Sequence, residues 1–273
     1  MESSTSLARR AAVLLQGGPL AAADLARQIM GLTGPPVVAA SLVRTLLERD
    51  DRFEVDEAGR WRLSDPTDLP GPVPTSLDFA VVDVETTGSP YHRGHRVTEV
   101  AVVLVEGGVV SDSFVTLVNP GRRIPKRIQA LTGITDQMVA RAPHFDAVAE
   151  EVAARLAGRV FVAHNAPFDW GFVEAELLAA SGEVPEVTRL CTVRLARALL
   201  PQLRRHHLDS VAGHFDVTIE GRHRAYGDAL ATARILLRLL DEAALQGATD
   251  LVGLIGVMGK GGARRRSHTK GRL

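Results

Sequence analysis

The pattern of apolar and polar positions changes near residue 70 and divides the chain into two parts. Before that point, three stretches have apolar residues at helical spacing. They are "SLARRAAVLLQGG", "AAADLARQIMGLTG" and "PPVVAASLVRTLLERD". The next stretch, "RFEVDEAGRWRL", alternates apolar and polar residues around a Glu-Ala-Gly turn, which is typical of a β-hairpin. The pattern therefore predicts three helices and a hairpin, a small α+β domain over residues 1–66.

From Leu77 to about Gly247 the pattern becomes that of an α/β protein. Runs typical of strands occur at "FAVVDVET", "RVTEVAVVLVEGG", "VVSDSFVTLVNP" and "RVFVAHN", and helical runs follow. Glycines link the early strands, which indicates antiparallel hairpins, whereas the later alternation indicates parallel strands with crossover helices. The fold predicted for residues 77–247 is a mixed sheet flanked by helices.

Two further segments adjoin this domain. Residues 67–76 lie in the proline-rich stretch "SDPTDLPGPVPTS", which predicts an extended, semi-rigid linker. Residues 248–273 include "MGKGGARRRSHTKGRL", which holds six basic residues and no acid. This composition predicts a basic, disordered tail, which would be either a solvated end or a sequence-independent contact with phosphates.

The three helices and hairpin of residues 1–66 resemble a winged helix, a fold that often binds DNA through its third helix. However, residues 1–70 hold eight arginines, no lysine and ten acids. The third helix offers only Arg44 and Arg49 to contact phosphates. Contact with DNA and docking to a protein therefore both stay open as interpretations of this module.

Composition narrows the general class of the protein. The 273 residues carry 32 basic and 32 acidic side chains, so no overall charge points to a nucleic-acid partner. The single cysteine, Cys191, excludes an internal disulfide and is interpreted as a small buried apolar residue. No apolar run approaches the roughly 18 residues of a membrane span, and no secretory apolar region follows the first residues. We expect a cytoplasmic protein without a membrane partner.

Two acids interrupt the first strand of the α/β domain. Asp83 and Glu85 lie in "VVDVETTG", and side chains two residues apart on a strand point to the same face. Two anions side by side in a low-dielectric environment repel each other unless they are neutralised. A divalent cation is the natural partner, and hard oxygen ligands favour Mg²⁺ or Mn²⁺ over zinc.

Two later stretches supply further polar residues of the same kind. In "FVAHNAPFDWGFVEAEL", Asn165 is a candidate helix cap, and Asp169 falls in the first turn of the helix. In "HRAYGDALATARILLRLL", His223 and Asp228 are five residues apart. Because five residues on a helix turn by about 140°, both can reach one site only if His223 lies in the loop before the helix.

The stretches "DVETTG", "HNAPFDWGF" and "HRAYGDA" resemble the three motifs of the DEDDh 3′–5′ exonuclease family, that of the proofreading epsilon subunit of bacterial DNA polymerase III. "NPGRRIPKRIQALTGITDQMVARAP", "RVTEVAVV" and "HHLDSVAGHF" are also similar to the family at their places in the order. The resemblance covers Leu77 to Leu245. It implies a ribonuclease H-like fold and 3′–5′ exonucleolysis with two metal ions.

The resemblance also implies roles for individual residues. By matching position, Asp83, Glu85 and Asp228 would hold the first of two Mg²⁺ or Mn²⁺ ions, and Asp83 would bridge to the second. Asp169 would support the second ion. His223 would be the general base that takes a proton from the attacking water. These roles agree with two-metal phosphodiester chemistry and with an imidazole that titrates near neutral pH.

Five more residues are candidates for substrate binding by the same matching. Thr86 and Gly88 would lie against the terminal nucleotide, and Thr132 is at the position that contacts the sugar. His164 and Asn165 are further candidates, for which capping of the turn is the alternative.

The function expected from these features is metal-dependent hydrolysis at the 3′ end of single-stranded DNA, in proofreading, repair or nucleic-acid turnover. An exoribonuclease of the same mechanism is the nearest alternative, since related enzymes act on both polymers. A non-catalytic regulator that binds nucleic acid through a winged helix is a third hypothesis. The N-terminal module and basic tail stand in place of the polymerase-binding segment of the epsilon subunit, so a replicative role is not implied.

Overall fold

The backbone divides into two units, Met1–Gly71 and Pro72–Leu273. The computed structural model describes residues 8, 11, 12, 14, 15, 18–30, 35–48, 50, 52–64 and 77–268. The first helix predicted from the sequence lies partly outside these described residues, and the predicted linker of residues 67–76 lies wholly outside them.

The described part of the first unit contains two helices and a hairpin around a small apolar core. The helices are α1 (Ala22–Met30) and α2 (Pro36–Leu47), and the antiparallel strands are β1 (Phe53–Val55) and β2 (Trp61–Leu63). Trp61 is buried in this core and also exchanges backbone hydrogen bonds with Leu20. These elements occur where the sequence predicts its second and third helices and its hairpin. The winged-helix interpretation itself stays a prediction.

The second unit alternates strands and helices. Its strands are β3 (Phe79–Thr86), β4 (Val97–Glu106), β5 (Val109–Leu117), β6 (Val160–Ala163) and β7 (Arg189–Cys191). Its helices are α3 (Lys126–Thr132), α4 (Asp136–Val139), α5 (Ala149–Leu156), α6 (Ala166–Ser181), α7 (Thr192–Leu199), α8 (Leu208–His214), α9 (Ala225–Leu245) and α10 (Leu251–His268). Short 3-10 turns occur at Tyr91–Arg93 and Phe145–Ala147.

The strands form one sheet in the order β5-β4-β3-β6-β7. The pairs of β3 with β4 and of β4 with β5 are antiparallel, and the pairs of β3 with β6 and of β6 with β7 are parallel. This confirms the mixed sheet flanked by helices. The strand β7 has only three residues, which is too short for an alternating pattern to reveal it in the sequence.

The central strand β3 is covered by helices. Helix α9 packs against β3 and β4 and buries Ile235, Leu236 and Leu239 completely. Helix α6 packs on the same sheet, with Trp170 edge-on to Phe161 of β6. Burial of apolar surface contributes about 25 cal/mol per Å² to folding stability. This packing therefore stabilises the strand that carries the side chains at the end of β3.

The prediction of a disordered tail from residue 248 is wrong over α10. In this helix Leu254, Val257 and Met258 are buried, and the helix packs against α7. Their spacing of i, i+3 and i+4 is that of an amphipathic helix, and the glycine and arginine content of the segment obscured it. The last residues, 269–273, lie outside the described part of the chain.

Cys191 is a free, buried cysteine at the end of β7, as predicted. Its backbone N–H points at Sδ of Met258, 3.3 Å away. Among the residues that the structure describes, no helix combines the length and apolar character needed to cross a bilayer.

Replacing Leu254 by alanine is expected to lower the free energy of unfolding by about 2–4 kcal/mol, because the side chain is fully buried against the domain. Val252 lies on the same helix and is 77% exposed, so Val252→Ala should change stability by less than about 0.5 kcal/mol. Urea unfolding of both variants measures the difference. Equal effects would contradict the packing of α10.

Candidate active site

Asp83 and Glu85 lie near the end of the central strand β3. Burial alternates along this part of the strand: Val82 and Val84 are buried, whereas the two acids are partly buried. The acids therefore share one face of the sheet, as the period of two predicts. The pairing of β3 with β4 shifts register between Glu85 and Thr86, which ends the regular ladder immediately after the second acid.

Helix α6 brings Asp169 to the same end of β3. Asp169 is in the first turn of α6 and is 3% exposed, and its Oδ1 accepts a hydrogen bond of 3.2 Å from the backbone N–H of Val84. Asn165 occupies the N-cap position in a left-handed conformation with φ 86°. Its side chain makes no capping hydrogen bond, so the position of the predicted cap is right but the predicted interaction is absent.

The loop before α9 brings His223 and Asp228 together. His223 lies outside the helix with φ 63°, and Asp228 is in the first turn of α9 and is 3% exposed. Gly227 allows this close packing, because a Cβ atom there would lie 1.8 Å from the carbonyl oxygen of Glu220. As a result, ligand atoms of Glu85, His223 and Asp228 all lie within 4.8 Å of one another.

The carboxyl groups of the four acids all have raised pKa values, so their ionised forms are disfavoured. Burial raises the pKa of Asp83 well above its usual value, and the neighbouring charges of Asp169, Glu85 and Asp228 raise it further. Burial raises the pKa of Glu85 to about 8, with Asp228 as the next cause. Burial also raises the pKa of Asp169 to about 8 and raises the pKa of Asp228. Such shifts are typical of functional sites.

One arginine that the sequence analysis missed compensates part of this charge. Arg222 donates from Nη1 to Oδ2 of Asp228 and from Nε to Oδ1 of the exposed Asp209, at 3.0 Å in the second case. The backbone N–H of His223 donates to the same Oδ2 of Asp228 at 3.3 Å. No sequence pattern marks Arg222, because it follows a glycine in a loop and belongs to none of the recognised motif positions.

The donor set fits a divalent metal ion. The buried Oδ1 of Asp228 has no hydrogen-bond partner among the described residues, and an unpaired buried carboxylate oxygen is costly. Burial disfavours the ionised forms of these four groups, and a bound divalent cation would favour them. Oxygen donors of this kind are the ligands that Mg²⁺ and Mn²⁺ prefer.

The turn after Glu85 is held by its own hydrogen bonds. Thr86 Oγ1 donates to the carbonyl oxygen of Gly88 at 2.8 Å and accepts from the Gly88 N–H at 3.2 Å. Gly88 has φ 136°, and a Cβ atom there would lie 2.7 Å from the ring of His95. The turn therefore requires glycine, and it is buried, with the ring of His95 packed against Gly88.

The remaining substrate-binding candidates have internal partners. Thr132 Oγ1 donates to the Ile128 carbonyl at 3.0 Å and accepts from the Ile134 N–H at 3.1 Å. The ring of His164 contacts Thr192 Oγ1 at 3.0 Å and the carbonyl oxygen of His206 at 3.1 Å. Burial lowers the pKa of His164 to about 4, so this ring is neutral. Its contacts favour the alternative that His164 holds the turn.

Comparison with known proteins adds independent findings. A family model described as an exonuclease, RNase_T, matches residues 80–236. The 3′-5′ exonuclease DinG of Bacillus subtilis is 40% identical over 164 residues, which are 60% of this chain but only 18% of that protein. The DNA polymerase III subunit epsilon of Aquifex aeolicus is 36% identical over 164 residues, which are 60% of this chain and 81% of that protein.

Solved structures agree in fold. Exonuclease X in complex with 5′ overhanging duplex DNA has a TM-score of 0.52 and 25% identity, covering 67% of this chain and 99% of that one. The nuclease domain of 3′hExo, a DEDDh family member bound to rAMP, has a TM-score of 0.51 and 22% identity, covering 60% and 91%. The ribonuclease H-like fold and the resemblance to DEDDh exonucleases are thereby confirmed.

The metal-free protein is expected to lose stability as the pH rises from about 7 to about 8, and the loss should level off by about pH 9. The pKa values of Asp169 and Glu85, raised to about 8 in the folded state, mean that folding retains protons that the unfolded chain has already lost. Stability is therefore fully present below the unfolded values and is lost as the pH passes the folded ones. His164 is neutral in both states in this range. Urea unfolding in EDTA measures the slope.

Two substitutions test whether the buried acids cause this fall in stability with rising pH. Asp169→Asn should make the fall in stability smaller, because it removes one of the groups that retain a proton. The exposed Glu150→Gln should leave the slope unchanged. A fall that Asp169→Asn does not reduce would contradict this account of the acid cluster.

Proposed function

Because the chain belongs to the RNase_T exonuclease family, we propose that it is a metal-dependent 3′–5′ exonuclease that hydrolyses phosphodiester bonds at the 3′ end of single-stranded DNA. The observation that carries the proposal is the convergence of Glu85, His223 and Asp228 within 4.8 Å, beside Asp83 and Asp169. A non-catalytic regulator would have no physical need for so costly a set of buried polar groups.

The acids would hold two divalent cations, Mg²⁺ or Mn²⁺. Asp83, Glu85 and Asp228 would bind the first, Asp83 would also bind the second, and Asp169 would support the second. Bound at such a site, the ions supply an activated water and stabilise charge on the attacking and leaving oxygens. Oδ1 of Asp228 supports this assignment, because it is a buried acceptor without a hydrogen-bond partner in the part of the chain that the structure describes.

His223 would act as the general base that takes a proton from the attacking water. An imidazole has the ordinary pKa closest to neutral pH, which suits proton transfer there. The left-handed backbone of His223, the bond from its N–H to Asp228 and the Arg222 side chain 3.3 Å from its Nδ1 hold the residue at the edge of the acid cluster. The residue can therefore face a phosphodiester bound over the acids.

The turn at Thr86 and Gly88 would bind the terminal nucleotide, as the match to the family motif implies. Thr132 would contact the sugar. Asn165 is exposed beside Asp169 and is a better candidate for substrate contact than His164, whose ring is engaged internally.

An exoribonuclease with the same mechanism is the second candidate. It is favoured by the structural neighbour 3′hExo, which was solved with rAMP, whereas exonuclease X was solved with DNA. The relative named as the epsilon subunit of DNA polymerase III favours DNA as the substrate, and a role in proofreading, repair or turnover is part of this proposal. The whole protein's substrate and cellular role rest on these likenesses alone, because the chain spans only a small part of DinG.

The assay that tests the function uses the full chain with 3′-labelled single-stranded DNA and RNA of the same sequence, in Mg²⁺, Mn²⁺ or EDTA. We expect stepwise release of nucleotides from the 3′ end with metal, none with EDTA, and faster release from DNA. Faster release from RNA would make exoribonuclease the better assignment. If neither polymer is shortened, the enzyme proposal fails.

Two substitutions separate metal binding from proton transfer. Asp83→Asn should abolish cleavage and remove the thermal stabilisation that Mn²⁺ gives the wild type. His223→Ala should lower kcat by about 10²- to 10⁴-fold while the stabilisation by Mn²⁺ is retained. The matched control is His214→Ala, since His214 is exposed on α8 and should affect neither measurement. Wild-type turnover in either site variant would refute its assigned role.

We propose that residues 1–66 form a winged-helix-like domain, joined by the linker of residues 67–76 to the nuclease domain that begins at residue 77. Helix α2 exposes Val37, Val38 and Leu42 to solvent and carries few cations, which supports protein docking over DNA contact.

Deleting residues 1–71 is expected to leave kcat on short oligonucleotides within about twofold, because every proposed catalytic residue lies after residue 77. The rate of 3′ release from a labelled oligonucleotide of about ten nucleotides measures this. A truncated protein that folds, as judged by circular dichroism, but does not cleave would contradict the proposed boundary.

A further inference from the structure

A fifth acid lies beside the site but outside its metal-binding cluster. Glu99 is on β4, directly opposite Glu85 in the antiparallel register, and is 2% exposed. Its position inside the apolar run "RVTEVAVV" is the same kind of anomaly that Asp83 and Glu85 present on β3. A buried carboxylate needs compensating charge or hydrogen bonds.

Both oxygens of Glu99 are occupied by the segment that starts α9. Arg224 donates from Nη2 to Oε1 at 2.5 Å and from Nε to Oε2 at 3.0 Å, the forked geometry that arginine and carboxylate favour. The backbone N–H of Ala225 donates to Oε2 at 2.8 Å. Ala225 is the first residue of α9, so Glu99 satisfies a helix N–H that has no partner within its own helix.

These bonds fix the two residues that directly follow His223. Arg224 is the N-cap of α9, but its guanidinium has only donors and cannot accept from the helix N–H groups; it donates to Glu99 instead. Its backbone N–H bonds to the carbonyl oxygen of Gly221, which closes a tight turn around His223. The position of the imidazole therefore depends on where β4 holds Arg224.

The chain contains a second pair of the same design away from this loop. Glu176 on α6 is 4% exposed and accepts from Nε and Nη2 of Arg96, at 2.8 and 2.6 Å. It also accepts from the backbone N–H of Val97 at 3.1 Å. This pair ties the start of β4 to α6, so it matches the first pair in chemistry and burial but holds a different segment.

We propose that Glu99 and Arg224 are positioning residues for the proposed reaction: by clamping the start of α9 to β4, they hold His223 in the orientation needed for proton transfer. The inference rests on the proposed function. It differs from a purely structural role in predicting that loss of the clamp lowers turnover more than stability alone explains, because a misplacement of about 1 Å can cost about 10²-fold in rate.

The test compares Glu99→Gln with Glu176→Gln in the full chain. Glutamine keeps the size of the side chain but removes the charge and the second acceptor for the arginine fork. At a temperature where both variants are folded, Glu99→Gln should lower kcat about 10²-fold with KM within about threefold of the wild type. Glu176→Gln should keep kcat within about twofold even if its melting temperature falls as much.

Two further measurements distinguish a positioning role of the Glu99–Arg224 pair from a general loss of stability. Arg224→Lys retains the cation but not the fork, so its kcat should lie between those of the wild type and Glu99→Gln. Hydrogen exchange, resolved on a peptide that contains Ala225, should become faster in Glu99→Gln and stay unchanged in Glu176→Gln. If Glu99→Gln fails to fold, Arg224→Lys and its exchange decide the question, because Arg224 is partly exposed.

The inference and the proposed function fail in different ways. A wild type that cleaves neither polymer would defeat the proposed function. An active wild type would overturn the inference alone if Glu99→Gln retained kcat within about twofold. The inference would also be overturned if Glu176→Gln lost as much kcat as Glu99→Gln, since the loss would then reflect general destabilisation.

Discussion

The burial of four carboxyl groups together at the end of β3 is the constraint on which the rest of the site depends. Burial raises the pKa of each group, and neighbouring acids raise the pKa of Asp83, Glu85 and Asp169 further. Arg222 donates to Oδ2 of Asp228, while the buried Oδ1 of Asp228 has no hydrogen-bond partner within the described residues. Ionising several buried acids side by side is unfavourable unless a cation compensates their charge. Such a cluster therefore favours the binding of metal ions.

The free-energy cost of burying the four acids together is tolerated because the surrounding strands and helices leave the acids little freedom to move apart. The strand β3 lies in the middle of the sheet, and its backbone N–H at Val84 binds Asp169 of α6 directly. The turn around His223 is closed by the bond from the Arg224 N–H to the Gly221 carbonyl oxygen, and Glu99 holds the Ala225 N–H that follows it. Side chains supported by strands and helix starts are held more rigidly than side chains on free loops, and catalysis by positioned groups requires that rigidity.

Much of this could be predicted from the sequence, because local patterns carry it. The alternation in β3 predicted that Asp83 and Glu85 share a face, and helix geometry predicted that His223 precedes α9. Contacts between distant segments were not predictable in the same way. Arg222 reaches Asp209 across a loop, and Glu99 reaches Arg224 over 125 positions. The helix α10 was not predicted because the segment is rich in glycine and arginine. Its apolar stripe is short, and only packing against α7 shows that the stripe is buried.

Anomalous diffraction from crystals of the protein soaked in Mn²⁺ and a nucleoside 5′-monophosphate tests directly whether the four acids bind metal. We expect two manganese peaks, about 3.5–4 Å apart, held by Asp83, Glu85, Asp169 and Asp228. In that structure Oδ1 of Asp228, which has no hydrogen-bond partner among the described residues, should ligate one of the manganese ions. Manganese peaks found only elsewhere on the protein, with no metal at the four carboxylates, would contradict the proposed metal site.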